Sequence, residues 1–129
     1  MLNPSTADAE INDPTIRRCL DFAQSWGYGS LEVVNLFGLR TTQPQRLRQA
    51  TDPVGPDCDR YIQTAIERAD TVLVAWGNWG NLQGRDQTVL DWIDPSRCYC
   101  LGVNQSGQPR HPLYLKRSTQ PLRYAGMLA

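Results

Sequence analysis

The sequence predicts an α/β protein, a three-layer sandwich in which helices flank a short, mainly parallel sheet. Two observations support this fold class: helix-like segments alternate with apolar runs rich in β-branched residues, and turn-forming residues separate them. The apolar runs place strands near 31–36, 71–76 and 98–103. A chain of 129 residues is long enough for one domain, 1–129, and too short for two of ordinary size.

The predicted helices carry apolar residues at helical spacing, with start and stop signals at their ends. The first, DPTIRRCLDFAQSWGYG, begins at a capping Asp13 followed by Pro14 and ends at Gly27. The second, DCDRYIQTAIERAD, places Tyr61 on its buried face, and the third covers GRDQTVLDWI. A short helix at QRLRQA interrupts the loop at 41–57, and the tail from NQSGQPRHPLYL onward is predicted to have weak structure.

The first residues resemble the end of a strand. Met1 and Leu2 are apolar, and LNPSTAD is typical of a loop that leaves a strand. We therefore expect the first strand to begin upstream, so that the chain as given starts late and its first strand is truncated.

Composition limits the partners. Thirteen basic residues balance thirteen acidic ones, so attraction to nucleic acid or a membrane surface must be local if it exists. No apolar run approaches the about 20 residues that cross a bilayer, and no secretory signal is present, which predicts a cytoplasmic protein with no membrane partner.

The four cysteines lack framework spacing and are expected to be reduced. The oligomeric state stays open.

Four polar loops are expected to meet at one edge of the sheet, because ligands of α/β proteins bind beyond the carboxyl ends of the strands. The loops are LNPSTAD, NLFGLRTT, WGNWGN and the one containing PRHPLYL. The residues expected to converge are Asn3, Ser5, Asn35, Arg40, Trp76, Asn78 and His111. Asn35 interrupts an apolar run, and a buried carboxamide is costly unless it is paired. It therefore either bonds to nearby backbone or serves a ligand.

In this order the motifs resemble those of the uracil-DNA glycosylase superfamily. The counterparts are LNPS at 2–5, VVNLFGLRT at 33–41, VLVAWG at 72–77 and RHPLYL at 110–115. The resemblance implies a uracil-DNA-glycosylase-like fold. A closer resemblance, carried by LNPSTAD, DPTIRRC, WGYG, VVNLF, DPVGP, AWG and PRHPLY, is to an uncharacterised bacterial and phage family, domain of unknown function 1643.

The superfamily resemblance implies a nucleobase, nucleoside or DNA partner and a role for particular residues. Asn3, with Ser5 beside it, would position a water, and Asn35 would read a base edge. His111 would stabilise negative charge on a departing base. Leu113 or Tyr114 would fill the space that a flipped base leaves. The cysteines do not match the iron–sulfur branch, so neither a metal nor a cofactor is expected.

The resemblance leaves the chemistry open. Position 3 carries Asn where the most active branch has Asp, and Asn is a poor general base, which makes Asp8 and Asp13 the candidate acid or base groups. One alternative is an N-glycosidic hydrolase acting on a modified or mismatched base. Another is a non-catalytic nucleotide or nucleic-acid-binding module, and a third is a structural role with no pocket.

Several candidates also have a plainer interpretation. Asn3 could belong to a turn, and His111 could be a surface residue with no role. Trp76 at a strand end is more often packing than a stacking platform. Cys98 and Cys100, two apart on a strand, are better explained by core packing than by a metal.

Overall fold

The computed structural model describes residues 1–4, 13–113 and 115–124, so the predictions made for Ser5, Asp8 and Tyr114 lie outside it. It shows an α/β protein, as predicted. The helices are α1 (Pro14–Ser25), α2 (Gln45–Gln49), α3 (Cys58–Arg68) and α4 (Arg85–Leu90), and the strands are β1 (Val72–Leu73), β2 (Cys98–Cys100) and β3 (Leu122–Arg123). Two 3-10 segments span Asn78–Gly84 and Pro95–Arg97. None of the described helices is long and apolar enough to cross a bilayer.

The sheet is mixed, where a mainly parallel one was expected. β1 pairs with β2 in parallel, and β2 pairs with β3 antiparallel. The third strand comes from the tail, for which the sequence predicted weak structure. Tyr124, 6% exposed, holds this strand because its hydroxyl donates to the Gly107 carbonyl at 2.9 Å. One buried aromatic leaves no periodic pattern, which explains why the strand was missed.

Helix α1 has the ends that the sequence predicted. Asp13 Oδ1 accepts a hydrogen bond from the Thr15 amide at 2.8 Å. At the other end Gly27 adopts φ +84°, and the Tyr28 amide donates to the Ala23 carbonyl at 2.9 Å. This turn at the end of α1 provides a donor for a carbonyl of the last helical turns. It requires a positive φ, which glycine adopts readily because it has no Cβ. The helix prediction is confirmed at both ends.

Helices α2, α3 and α4 are confirmed, with one correction to a buried face. Ile62 and Ile66 of α3 are buried as expected, but Tyr61 is 61% exposed. Its ring lies beneath the Arg60 guanidinium, 5.3 Å from the ring centroid. Tyr61 precedes the buried stripe by one position, about 100° around the helix, and this turns it toward solvent.

Residues 31–36 form extended chain in which no strand is assigned, so the first predicted strand is wrong as a regular element. Its backbone partner is the N-terminus: the Met1 amine donates to the Val34 carbonyl, and the Leu36 amide donates to the Met1 carbonyl, both at 2.9 Å. These are the hydrogen bonds of a parallel pair. The segment therefore lies beside Met1 and Leu2.

The core joins α2, α3, α4, the sheet and the 36–37 segment. Cys98 and Cys100 are fully buried in it, as the packing interpretation expected, and burial raises the pKa of the Cys98 thiol to about 11. The buried members are Leu36, Phe37, Leu47, Ile62, Ile66, Val74, Trp76, Val89, Leu90, Ile93, Cys98, Cys100 and Tyr124.

Gly80 is required where the WGNWG turn folds back on the core. A Cβ at this position would overlap the indole of Trp76. We expect Gly80→Ala to lower the free energy of unfolding by about 1–3 kcal/mol, as overpacked cores do. Gly29→Ala is the matched control, since its Cβ would meet nothing within 4 Å, and it should be neutral or slightly stabilising. Urea unfolding measures both, and equal effects would contradict this assignment.

Candidate functional site

A cavity of about 690 Å³ lies within the fold. Residues of α1, α3, β1 and the 28–36 segment line it, and most of the lining is apolar. The N-terminus and three of the predicted motifs each contribute a residue: Met1, Asn35, Trp76 and Pro112. Its size is within the range of about 300–1,000 Å³ that is usual for small-molecule sites.

Asn35 lines this cavity and carries a hydrogen-bond acceptor that is unused within the described chain. Its Oδ1 is buried and has no hydrogen-bond partner within the part of the chain that the structure describes. A buried acceptor without a partner costs about 1–3 kcal/mol, and native proteins rarely retain one without a reason. Of the two explanations that the sequence left open for Asn35, this arrangement favours the one in which it serves a ligand.

Two side chains hold the backbone beneath Asn35. The Cys58 thiol donates to the Asn35 carbonyl at 3.2 Å, and Arg85 Nε donates to the Leu36 carbonyl at 2.9 Å. Arg85 is 6% exposed and pairs with Asp59 Oδ1 at 2.7 Å. Burial raises the pKa of Cys58, so its thiol keeps the donor proton. These two side chains therefore add to the backbone hydrogen bonds by which Met1 and Leu2 hold the segment.

Sequence reasoning did not identify Arg85. It stands at the start of a helix predicted from its apolar pattern, where an arginine is ordinary. Its partner, the Leu36 carbonyl, is a backbone atom 49 residues away. No signal in one sequence reports such a pair.

Asn3 anchors a loop. Its Nδ2 donates to the carbonyls of Pro4, Leu39 and Thr41 at 3.0, 2.9 and 2.9 Å. These contacts join the LNPS motif to the loop after residue 38, and they favour the plainer interpretation of its amide nitrogen. The proposed role in positioning a water remains a prediction.

The candidates Arg40 and Asp13 lie in different settings. Arg40 is exposed in a shallow cleft that it shares with Arg46. Asp13 caps α1, so one of its carboxylate oxygens is engaged with backbone amides. That oxygen therefore stabilises the start of α1.

Trp76 belongs to a buried polar chain. It is 4% exposed, and its Nε1 donates to Gln108 Oε1 at 2.8 Å. Gln108 Nε2 in turn donates to Asp86 Oδ2 at 3.0 Å, and Asp86 is 6% exposed. The sequence missed Gln108 and Asp86, because the first lies in the tail and the second in an amphipathic helix. This burial favours packing as the role of Trp76.

Asn78 connects the WGN loop to the loop after β2. Its Oδ1 accepts hydrogen bonds from Asn104 Nδ2 at 3.0 Å and from Ser106 Oγ at 2.7 Å. The Gly77 amide also donates to the Pro109 carbonyl at 2.9 Å. The structure thus brings two of the predicted loops together, although Asn78 itself is exposed.

His111 is held in a defined tautomer. The amide of Leu113, which is half-buried, donates to His111 Nδ1 at 3.2 Å, so the proton of a neutral ring lies on Nε2. The ring keeps an exposed edge, but surrounding protein atoms remove part of its water and lower its pKa, while Asp13 acts in the opposite direction. The side chain is therefore neutral at pH 7 and can donate through Nε2.

We expect His111 to titrate below about 6.5, the value of a free imidazole. It is the only histidine in the chain, so its ring resonances in an NMR pH series are unambiguous. Because the folded pKa is lowered, its contribution to stability is present above the unfolded pKa and is lost as pH falls through the folded one. His111→Gln should flatten this part of the pH profile of stability. A midpoint at or above the free value would contradict the prediction.

Arg85→Met is expected to lower the free energy of unfolding by about 1–3 kcal/mol, because it leaves the buried Leu36 carbonyl with only the weak Cys58 thiol donor, at 3.5 Å. Arg60→Met is the control. Its pair with Asp57 is exposed on both sides, so the loss should stay below about 1 kcal/mol. Chemical unfolding compares the two variants, and an Arg85 effect no larger than that of Arg60 would contradict the assignment.

Within the described part of the chain, no group of three or more His, Cys, Asp or Glu side chains is arranged to hold a metal ion. Comparisons with curated proteins and with solved structures found no match. One family model, described as a protein of unknown function (DUF1643), matches residues 1–113. The chain therefore belongs to the DUF1643 family.

Proposed function

We propose that this protein binds a nucleobase, with Asn35 as the residue that recognises it. Two observations support the proposal: the Oδ1 atom of Asn35 is buried with no hydrogen-bond partner among the described residues, and Asn35 is one of the residues that line a cavity of about 690 Å³. A ligand N–H would satisfy this acceptor and remove its desolvation cost. Binding and relief of this cost are thus coupled.

The chemistry of a carboxamide suits a base edge. An amide offers an acceptor oxygen and a donor nitrogen side by side, which is the pattern that pairs with the edge of a nucleobase. The mostly apolar lining suits the flat faces of a base, which lose little on leaving water. The ordered motifs that resemble those of the uracil-DNA glycosylase superfamily, and the fold that this resemblance implies, support the same class of ligand.

N-glycosidic hydrolysis is the second candidate, and His111 favours it. A neutral imidazole with its proton on Nε2 can donate to a base oxygen as negative charge develops there. Hydrolysis also needs a group to activate water, and one oxygen of Asp13 is engaged in capping α1. Binding without hydrolysis is therefore our first proposal.

Asn35→Leu separates binding from folding. Because Oδ1 has no partner within the described chain, an apolar side chain of similar shape should leave the free energy of unfolding unchanged or raise it by about 1 kcal/mol. The same variant should weaken binding of uracil or hypoxanthine by about tenfold or more, the value of one buried hydrogen bond. Isothermal titration with free bases and with oligonucleotides that carry them measures this loss.

Asn81→Leu is the matched control, since Asn81 is an exposed asparagine of the chain. Unchanged base affinity in Asn35→Leu would refute the proposal. Release of free base, measured in the same samples, decides between the candidates: release that is lost in His111→Ala supports hydrolysis, and binding without release supports the binding module.

A further inference from the structure

The segment 39–50 concentrates positive charge in a protein whose net charge is zero. Thirteen basic and thirteen acidic residues balance over the whole chain, yet 39–50 contains Arg40, Arg46 and Arg48 and neither Asp nor Glu. All three arginines are exposed. The composition permits local attraction to a polyanion, and the segment 39–50 is where we expect it.

Helix α2 fixes the arrangement of these charges. Leu47 is fully buried and anchors the helix, so its neighbours Arg46 and Arg48 project from opposite flanks. Arg46 lines a cleft of about 510 Å³ together with Arg40, and its Nε donates to Gln43 Oε1 at 2.9 Å. Arg48 lies over the ring of Trp79, 5.0 Å from the centroid. We call the surface from Arg40 across α2 to Trp79 the arginine strip.

The cleft is lined by both polar and apolar residues. Besides the two arginines, Leu39 and Ala50, the lining consists of threonines and glutamines: Thr41, Thr42, Gln43 and Gln49. Such groups donate to phosphate oxygens along with arginine. Trp79 is only half-buried, which leaves part of an aromatic ring at the end of the strip.

The arginine strip adjoins the N-terminal loop. Asn3 donates to the carbonyls of Leu39 and Thr41, two residues that line the cleft. Met1, two residues earlier, lines the cavity that contains Asn35. Residues 1–3 therefore connect the cleft with the lining of that cavity.

We infer that the arginine strip binds the phosphates of a single-stranded polynucleotide. Arginines that follow a backbone together with an aromatic ring that stacks a base are the usual elements of single-strand binding. The inference rests on the proposed function for the identity of the ligand. It deepens that proposal, because the base bound at Asn35 would then belong to a polynucleotide. The charge of the strip is independent of Asn35, so each can fail separately.

The test measures binding of a fluorescent oligothymidylate of about 16 nucleotides to the full chain, by anisotropy, between about 50 and 200 mM salt. Phosphate contacts by Arg46 and Arg48 predict that log K falls with log salt with a slope of about −1.4, since each contact contributes about −0.7 for a single strand. Arg46→Gln and Arg48→Gln should each reduce the slope by about 0.7. Trp79→Leu should weaken binding by about tenfold with little change of slope.

Arg60→Gln is the matched control. Arg60 is also exposed and also lies over an aromatic ring, that of Tyr61, but it stands beside Asp57 at 3.4 Å. It should leave both affinity and slope unchanged. An equal loss in this variant would show diffuse attraction and overturn the inference, as would equal affinity for a duplex, or displacement of the oligonucleotide by polyglutamate.

The two proposals have separate outcomes in this assay. If the strip variants lose oligothymidylate binding while free uracil still binds in an Asn35-dependent way, both proposals are supported. Loss in the strip variants with no effect of Asn35→Leu on any base would refute the base site and leave the strip as a phosphate-binding surface. Unchanged oligothymidylate binding in the strip variants would overturn the strip and leave the base site intact.

Discussion

The buried guanidinium of Arg85 is the contact on which the candidate site depends. It donates to the Leu36 carbonyl and pairs with Asp59, which connects α4, α3 and the extended segment at one point. A backbone carbonyl in the core must find a donor, and for Leu36 that donor is a side chain. The segment is thus held by Met1 and Leu2 through backbone hydrogen bonds and by side chains of α3 and α4 at Asn35 and Leu36.

A second constraint comes from side-chain amides, which differ in whether their hydrogen-bonding atoms have partners. Asn3 uses its amide nitrogen three times to hold one loop, and Gln108 uses both ends of its amide between Trp76 and Asp86. Asn35 differs, because its oxygen is buried without a partner in the described chain. Folded proteins rarely leave such an atom without one unless function uses it. The contrast separates amides that support the fold from the one that we assign to a ligand.

The charged side chains also differ in role, since some stabilise the fold and others lie on the surface. The buried Arg85 pairs with Asp59 inside the fold, whereas Arg46 and Arg48 are exposed on the surface. His111 adds a donor that stays neutral near pH 7, because lost hydration lowers its pKa.

The sequence by itself determined the α/β class, the four helices and two of the three strands, because caps, periodicity and β-branched runs are local signals. It also identified Asn35, since a carboxamide inside an apolar run is visible without coordinates. It could not predict β3, the pairing of 31–36 with Met1 and Leu2 or the role of Arg85. These depend on contacts between residues far apart in the chain, such as Leu36 with Arg85 and Tyr124 with Gly107, and a local pattern carries no record of which distant group will meet a backbone carbonyl. Only the tertiary structure decides that.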